Sequence, residues 1–208
     1  MTELIRLPKM QRDAEIRAAS YDEQDNTIEV VWTTGSTGRR VSWMEGEFDE
    51  ELVVSDKAVR LDRLNAGAPF LDTHDRYSLD AVIGSVVAGT AKIAKGVGTA
   101  RIQLSKAAGT LDRVAKIIEG TVRNVSVAYR IHGVEKTQRE GMVPLHRVID
   151  WEPMEISAVP VGFDPGAQVR SGSDDELFSC RVDLCSAHLN SVRRLRMEMQ
   201  QRHFEVVR

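Results

Sequence analysis

Cysteine is nearly missing from this chain: Cys180 and Cys185 are the only two among 208 residues. Two thiols so close together near one end cannot build a disulfide framework, and they lack CxxC spacing, so a reducing compartment suits them. A charge surplus of one sign is also missing. The formal net charge is -3, which leaves no global basic field to draw the protein to nucleic acid or membrane. No run approaches the ~18 apolar residues of a membrane span, and Met1-Thr-Glu-Leu-Ile-Arg6 has no signal-peptide core. Internal repeats are absent as well. These absences predict a soluble, intracellular chain with no membrane partner.

What is there reads as globular. Hydrophobic residues make up 42% and charged residues 28%, enough for one domain with a real core plus a tail. Ala14, Ile16 and Ala18 alternate with charged residues, Asp22–Asn26 reads as a turn, and Ile28, Val30 and Trp32 alternate again, which predicts a hairpin. Ser55 is placed to cap a helix over Asp56–Leu64, stopped by Gly67 and Pro69. Phe70–Asp75 reads as extended, and Ala81–Val87 is apolar on both faces, as in a central strand. Thr90–Ala94 and Val97–Leu104 flank Lys95-Gly96 as a second hairpin. Thr110 is the expected cap of a helix over Leu111–Glu119, with Gly120 as its stop. After a polar loop, Val143–Asp150 and Met154–Val161 read as strands separated by Pro153. The polar composition of residues 169–179 suggests a linker. Beyond it Leu184, His188, Val192, Leu195 and Met199 recur at helical spacing among arginines, predicting an amphipathic helical tail over 180–208.

Three residues carry candidate chemistry. In Gly120–Ile131, strand alternation puts Val125, Val127, Tyr129 and Ile131 on an apolar face. Val122, Asn124, Ser126, Ala128 and Arg130 fall on the other, which predicts an accessible Ser126 hydroxyl with little bulk around it. A serine on the wetter face of a half-buried strand is also commonplace. His74 lies in Asp72-Thr-His-Asp-Arg76, where flanking carboxylates favour a protonated imidazole; an ordinary surface turn has the same composition. Asp72, His74 and Asp75 are alternatively a start on a metal site, although no spaced His or Cys completes the ligands. Glu155 belongs to a strand with one apolar face, so its carboxylate needs a partner. Composition alone does not make these a triad.

Three blocks do point further. Pro69-Phe-Leu-Asp-Thr-His-Asp-Arg76 with Ile83-Gly-Ser85, Val122-Arg-Asn-Val-Ser-Val-Ala-Tyr-Arg130, and Trp151-Glu-Pro-Met-Glu-Ile-Ser-Ala-Val-Pro160 leading to Phe163-Asp-Pro-Gly166 occur in this order. Together they resemble the prohead (capsid maturation) proteases of tailed bacteriophages, relatives of the herpesvirus assemblin fold. The resemblance covers roughly residues 10–168 and leaves the tail unexplained. Many relatives have Asn-His where this chain has Thr73-His74.

The resemblance implies an α+β, mainly β fold: an assemblin-like antiparallel β-barrel with surrounding helices in a domain over 1–168. It implies a serine endopeptidase with Ser126 as nucleophile, His74 as general base and Glu155 as the acidic third member, Asp150 being the alternative. Arg130, Arg123 or backbone N–H groups near Gly162–Gly166 are the candidates for an oxyanion hole. No metal and no cofactor are implied. The implied partners are the major capsid protein and its scaffold or delta region as substrate, a second copy in a homodimer, and the chain itself as a target. The implied place is the host cytoplasm, inside the prohead, and the basic tail is a candidate packaging segment. The alternative is a non-catalytic capsid assembly or scaffold protein with the same fold.

Overall fold

A computed structural model describes residues 2–7, 10–42, 45–161 and 178–184. The expected hairpin is present. After β1 (Thr2–Leu7), β2 (Met10–Asp22) turns at Asn26 and pairs antiparallel with β3 (Thr27–Thr33). β4 (Gly38–Ser42) and β5 (Gly46–Leu52) form a second antiparallel pair. The helix expected over Asp56–Leu64 shrinks to α1, Asp62–Asn65. Val59 instead bridges Trp151, whose N–H donates to Ala58 O at 2.9 Å while Arg60 N–H donates to Trp151 O at 2.9 Å. Pairing with a fully buried tryptophan strand outweighs the local helical preference of this stretch.

β6 (Pro69–Asp72) and β7 (Val82–Val86) pair antiparallel. β8 (Lys92–Ala94) and β9 (Val97–Leu104) form the predicted hairpin about Lys95 and Gly96, both at positive φ (51° and 76°), the geometry of a tight primed turn. α2 covers Leu111–Ile118, as the apolar spacing predicts, and Gly120 follows it at φ 80°. β10 (Asn124–Thr137) and β11 (Leu145–Val159) are the two long strands. Pro153 does not divide β11 as expected; its missing N–H is accommodated at a register shift beside Tyr129. The last described strand is β12, Phe178–Leu184.

The strand pairing closes on itself, from β10 through β2, β3, β9, β7, β6 and β11 back to β10. The mainly β expectation therefore holds as a curled sheet. It is not wholly antiparallel: β11 runs parallel to β6 and β5, and β10 parallel to β12. These pairs join segments far apart in sequence, which is the connection a parallel pair needs.

β12 differs from the local expectation for its residues. Residues 178–184, expected in the linker and the helical tail, are strand paired to β1 and β10. Cys180 is buried there as a free thiol, and burial pushes its pKa up to about 11. The rest of the linker and tail, 185–208 included, lies outside the described residues.

The inside of the curl is the apolar core. Val125, Val127, Tyr129 and Ile131 of β10 all face it, fully or nearly fully buried. Trp32, Tyr129 and Trp151 stack edge to face, with centroids 6.0 and 5.5 Å apart. The Tyr129 hydroxyl donates to Glu50 Oε1 (2.5 Å) and accepts from Arg40 Nη2 (3.1 Å), and Arg40 Nε pairs with the same carboxylate at 3.2 Å. Burial opposes the charge on Arg40, but Tyr129 and Glu50 hold its pKa above the usual arginine value. The network ties the β4–β5 pair to β10.

Candidate functional site

The site is built on the outer face of the curl, where β10, β11 and the end of β6 run side by side. Ser126 lies opposite Ser157 in the antiparallel β10–β11 pair, and Ala128 opposite Glu155. Directly paired residues project from the same face with Cβ atoms roughly 5 Å apart. Ser126, Ala128, Ser157 and Glu155 therefore share one wall.

A bulge puts Glu155 there. Trp151 pairs with Ile131 and Pro153 with Tyr129, all facing inward. By strict alternation Glu155 would join them in the core. The pairing steps from Tyr129↔Pro153 to Ala128↔Glu155, so Met154 is an extra residue on β11. One extra residue reverses which face the following side chains take. Glu155 and Ser157 thus turn outward, while Ile156 stays in the core.

The β6 strand carries His74 to the same wall. Asp72 is in register with Ala158, and Thr73 N–H donates to Ala158 O at 3.0 Å. The chain then doubles back over β11. Thr73 and His74 adopt left-handed backbone conformations, φ 48° and 62°. A β-branched threonine at positive φ is sterically unfavourable, and such strain persists only where surrounding contacts hold it. Those contacts are specific: His74 N–H donates to Ser157 Oγ at 3.2 Å, and His74 Nδ1 lies 2.7 Å from Glu155 Oε1. Ser157 Oγ donates to Glu155 Oε2 at 2.5 Å. An ionised carboxylate only accepts, so Nδ1 is the donor in this contact, and in the neutral ring that tautomer leaves Nε2 as the acceptor.

The predicted residues are thus brought together unequally. His74 and Glu155 are in direct contact. Ser126 shares their wall, but among the described residues no hydrogen bond joins it to His74. Its expected accessibility is not found: Ser126 is 3% exposed, because the face taken as wet is itself covered. Asp150 is engaged elsewhere. Arg60 donates to both of its oxygens, at 2.8 and 2.7 Å, and holds its carboxyl below the usual carboxylate range. Of the oxyanion candidates, Arg130 pairs with Glu152 at 3.9 Å. Burial would raise the Glu152 pKa, but Arg63, His132 and Arg130 together hold it low. The Gly162–Gly166 candidates lie outside the described residues.

The side chains weighed as metal ligands diverge. His74 turns to Glu155, Asp72 to Arg113 at 3.3 Å, and Asp75 accepts from Tyr77 N–H at 3.0 Å. No group of three His, Cys, Asp or Glu suited to a metal ion occurs among the described residues. Beside the His74 turn lies a cavity of about 160 Å³, lined by Asp72, Thr73, Asp75, Ser78, Asp80 and Arg113 among others. No helix among the described residues is long and apolar enough to cross a membrane.

With this geometry in place, comparison with known proteins adds one finding. The chain is similar to part of a phage capsid protein. It is 32% identical over 125 residues to the major capsid protein of Halomonas phage phiHAP-1, across 60% of this chain and 21% of that protein. The matched stretch thus spans about a fifth of its relative. No protein-family model matches the chain, and no solved structure does.

Reading the residues one by one missed Ser157 and Arg113. Ser157 stands two residues after Glu155 in the quoted third block, so strand alternation placed it on the same face. Arg113 reaches Asp72 and Asp80 O from a helix that carries no local sign of the contact.

Proposed function

We propose that this chain is a serine endopeptidase acting in assembly of a phage capsid, with an assemblin-like fold. The observation that carries the reading is the 2.7 Å contact between His74 Nδ1 and buried Glu155 on the wall that bears Ser126. A carboxylate fixing one ring nitrogen leaves the other as a base, which is the arrangement nucleophilic acyl transfer needs. Left-handed Thr73 and His74 support it, because backbone strain of this kind clusters at working sites. Similarity to a major capsid protein supports the setting. A segment like this chain occupies about a fifth of that polypeptide, as a processing unit carried alongside shell-forming sequence would.

In the proposed mechanism Ser126 Oγ attacks a peptide carbonyl while its proton passes to His74 Nε2. The C–N bond breaks, the amine leaves with that proton, and water releases the acyl group from Ser126 by the same relay. Glu155 holds the tautomer and stabilises the imidazolium. The absence of a direct Ser126–His74 hydrogen bond fits a substrate-free enzyme, where such bonds tighten on binding. Burial of Ser126 fits an enzyme held latent until it assembles with its substrate. The substrate is the scaffold or delta region of the capsid protein, and the chain itself, inside the prohead; the working form is a homodimer.

A second reading is favoured by the capsid-protein similarity and by the burial of Ser126: an assembly protein with this fold and no chemistry. Co-expression with the major capsid protein of the same phage separates the two. Intact-mass measurement shows a shortened capsid chain with wild type and an unprocessed one with Ser126→Ala or His74→Ala, since either loss is worth on the order of 10⁶ in rate. Cleavage by Ser126→Ala rejects the mechanism. Normal shells without cleavage in wild type establish the assembly reading instead.

A further inference from the structure

We infer that Ser157 is a positioning residue that locks the imidazole of His74 through both the main chain and the carboxylate. Its Oγ accepts from His74 N–H (3.2 Å) and donates to Glu155 Oε2 (2.5 Å), while Glu155 Oε1 meets His74 Nδ1 at 2.7 Å. These three bonds form a closed ring that leaves His74 at its backbone nitrogen and returns to it at its side chain. The ring fixes the carboxylate rotamer, so Oε1 can only point at Nδ1. It also anchors a residue at φ 62°, which has a local tendency to relax toward negative φ.

Ser157 does not fit the role of nucleophile in this arrangement. Its proton is committed to the Glu155 carboxylate. Ser126, one strand across, has no such commitment among the described residues. The same hydroxyl type therefore has two separate roles on paired strands, one toward substrate and one toward the base. The effect on rate rests on the endopeptidase reading above; the effect on the His74 ring rests on the geometry alone.

The test compares wild type, Ser157→Ala and Ser157→Thr of the full chain, each labelled with ¹⁵N-histidine. One readout is hydrogen exchange of the His74 Nδ1–H signal, assigned by its loss in His74→Ala. The other is kcat and KM on a peptide spanning a capsid cleavage site. Ser157→Ala should exchange at least about 10-fold faster and lose about 10- to 100-fold in kcat with KM little changed, taking as guide the loss when a partner that orients a metal-bound histidine is removed. Ser157→Thr, which keeps the hydroxyl, should restore both. If Ser157→Ala fails to fold, Ser157→Cys, close in shape and a weak donor, takes its place. Unchanged Nδ1–H exchange in the folded variant overturns the inference. So does loss of kcat that Thr does not rescue while exchange stays slow, which marks a merely structural role. If wild type cleaves neither this peptide nor the co-expressed capsid protein, the endopeptidase reading fails and the exchange measurement still decides the role of Ser157.

Discussion

Replacing Glu155 by Gln removes one charge and keeps the shape of the side chain. Two donors converge on the carboxylate, His74 Nδ1–H at 2.7 Å and Ser157 Oγ–H at 2.5 Å. An amide offers only one oxygen, so one of the two must face an –NH₂ group. Loss of a hydrogen bond to a buried charged acceptor costs about 1.5–3 kcal/mol. A domain with the usual ~5–15 kcal/mol of stability survives that, so the variant folds. If the amide turns its –NH₂ to His74, the ring must place its proton on Nε2, where it can no longer accept from Ser126. If instead the oxygen stays on Nδ1–H, the imidazolium formed during attack has lost its counter-charge. A wrong tautomer in a comparable triad lowers kcat by about 10⁴, equivalent to roughly 5 kcal/mol in the barrier. On the proposed endopeptidase reading, Glu155→Gln should therefore reduce kcat by about 10³–10⁴ with KM within a few-fold, which is less than the loss for Ser126→Ala. Initial rates on a capsid-derived peptide, with a urea melt of the same sample, measure both quantities. A folded Glu155→Gln protein with kcat within threefold of wild type would refute the role given to this carboxylate.

Three further outcomes follow from the contacts. Asp150→Ala should leave the cleavage rate unchanged and cost at most about 1 kcal/mol in a urea melt, because the Arg60 pair it breaks is partly solvent-exposed; loss of cleavage would return Asp150 to the site. Glu50→Ala should cost about 3–5 kcal/mol in the same assay, because it strands the buried Arg40 charge. His146, stacked on Phe48 at 4.0 Å, has its pKa lowered to about 4 by burial and by Lys136. The unfolded imidazole takes a proton near pH 6.5, so this contribution is complete above that pH and is lost as pH falls toward 4. Allowing for partial exposure, stability should drop by about 1–2 kcal/mol between pH 7 and pH 5, and His146→Gln should flatten that dependence in urea melts at the two pH values.

The amino-acid order by itself determined the local devices of this protein. Alternation in Gly120–Ile131 placed Val125, Val127, Tyr129 and Ile131 in a core, and they are there. Lys95-Gly96 and Gly120 marked a turn and a helix stop through their tolerance of positive φ. The resemblance of its three blocks to a known family added Glu155 as the acidic partner of His74, with Asp150 as the alternative. Tertiary structure put Glu155 rather than Asp150 against His74, through one extra residue at Met154 that turned Glu155 away from the core while Arg60 claimed Asp150. It likewise drew Val59 out of a helix, made strand of residues 178–184, and covered Ser126. Local patterns record which face a residue prefers. Only the pairing of distant strands decides where a register slips, and with it which side chains finally meet.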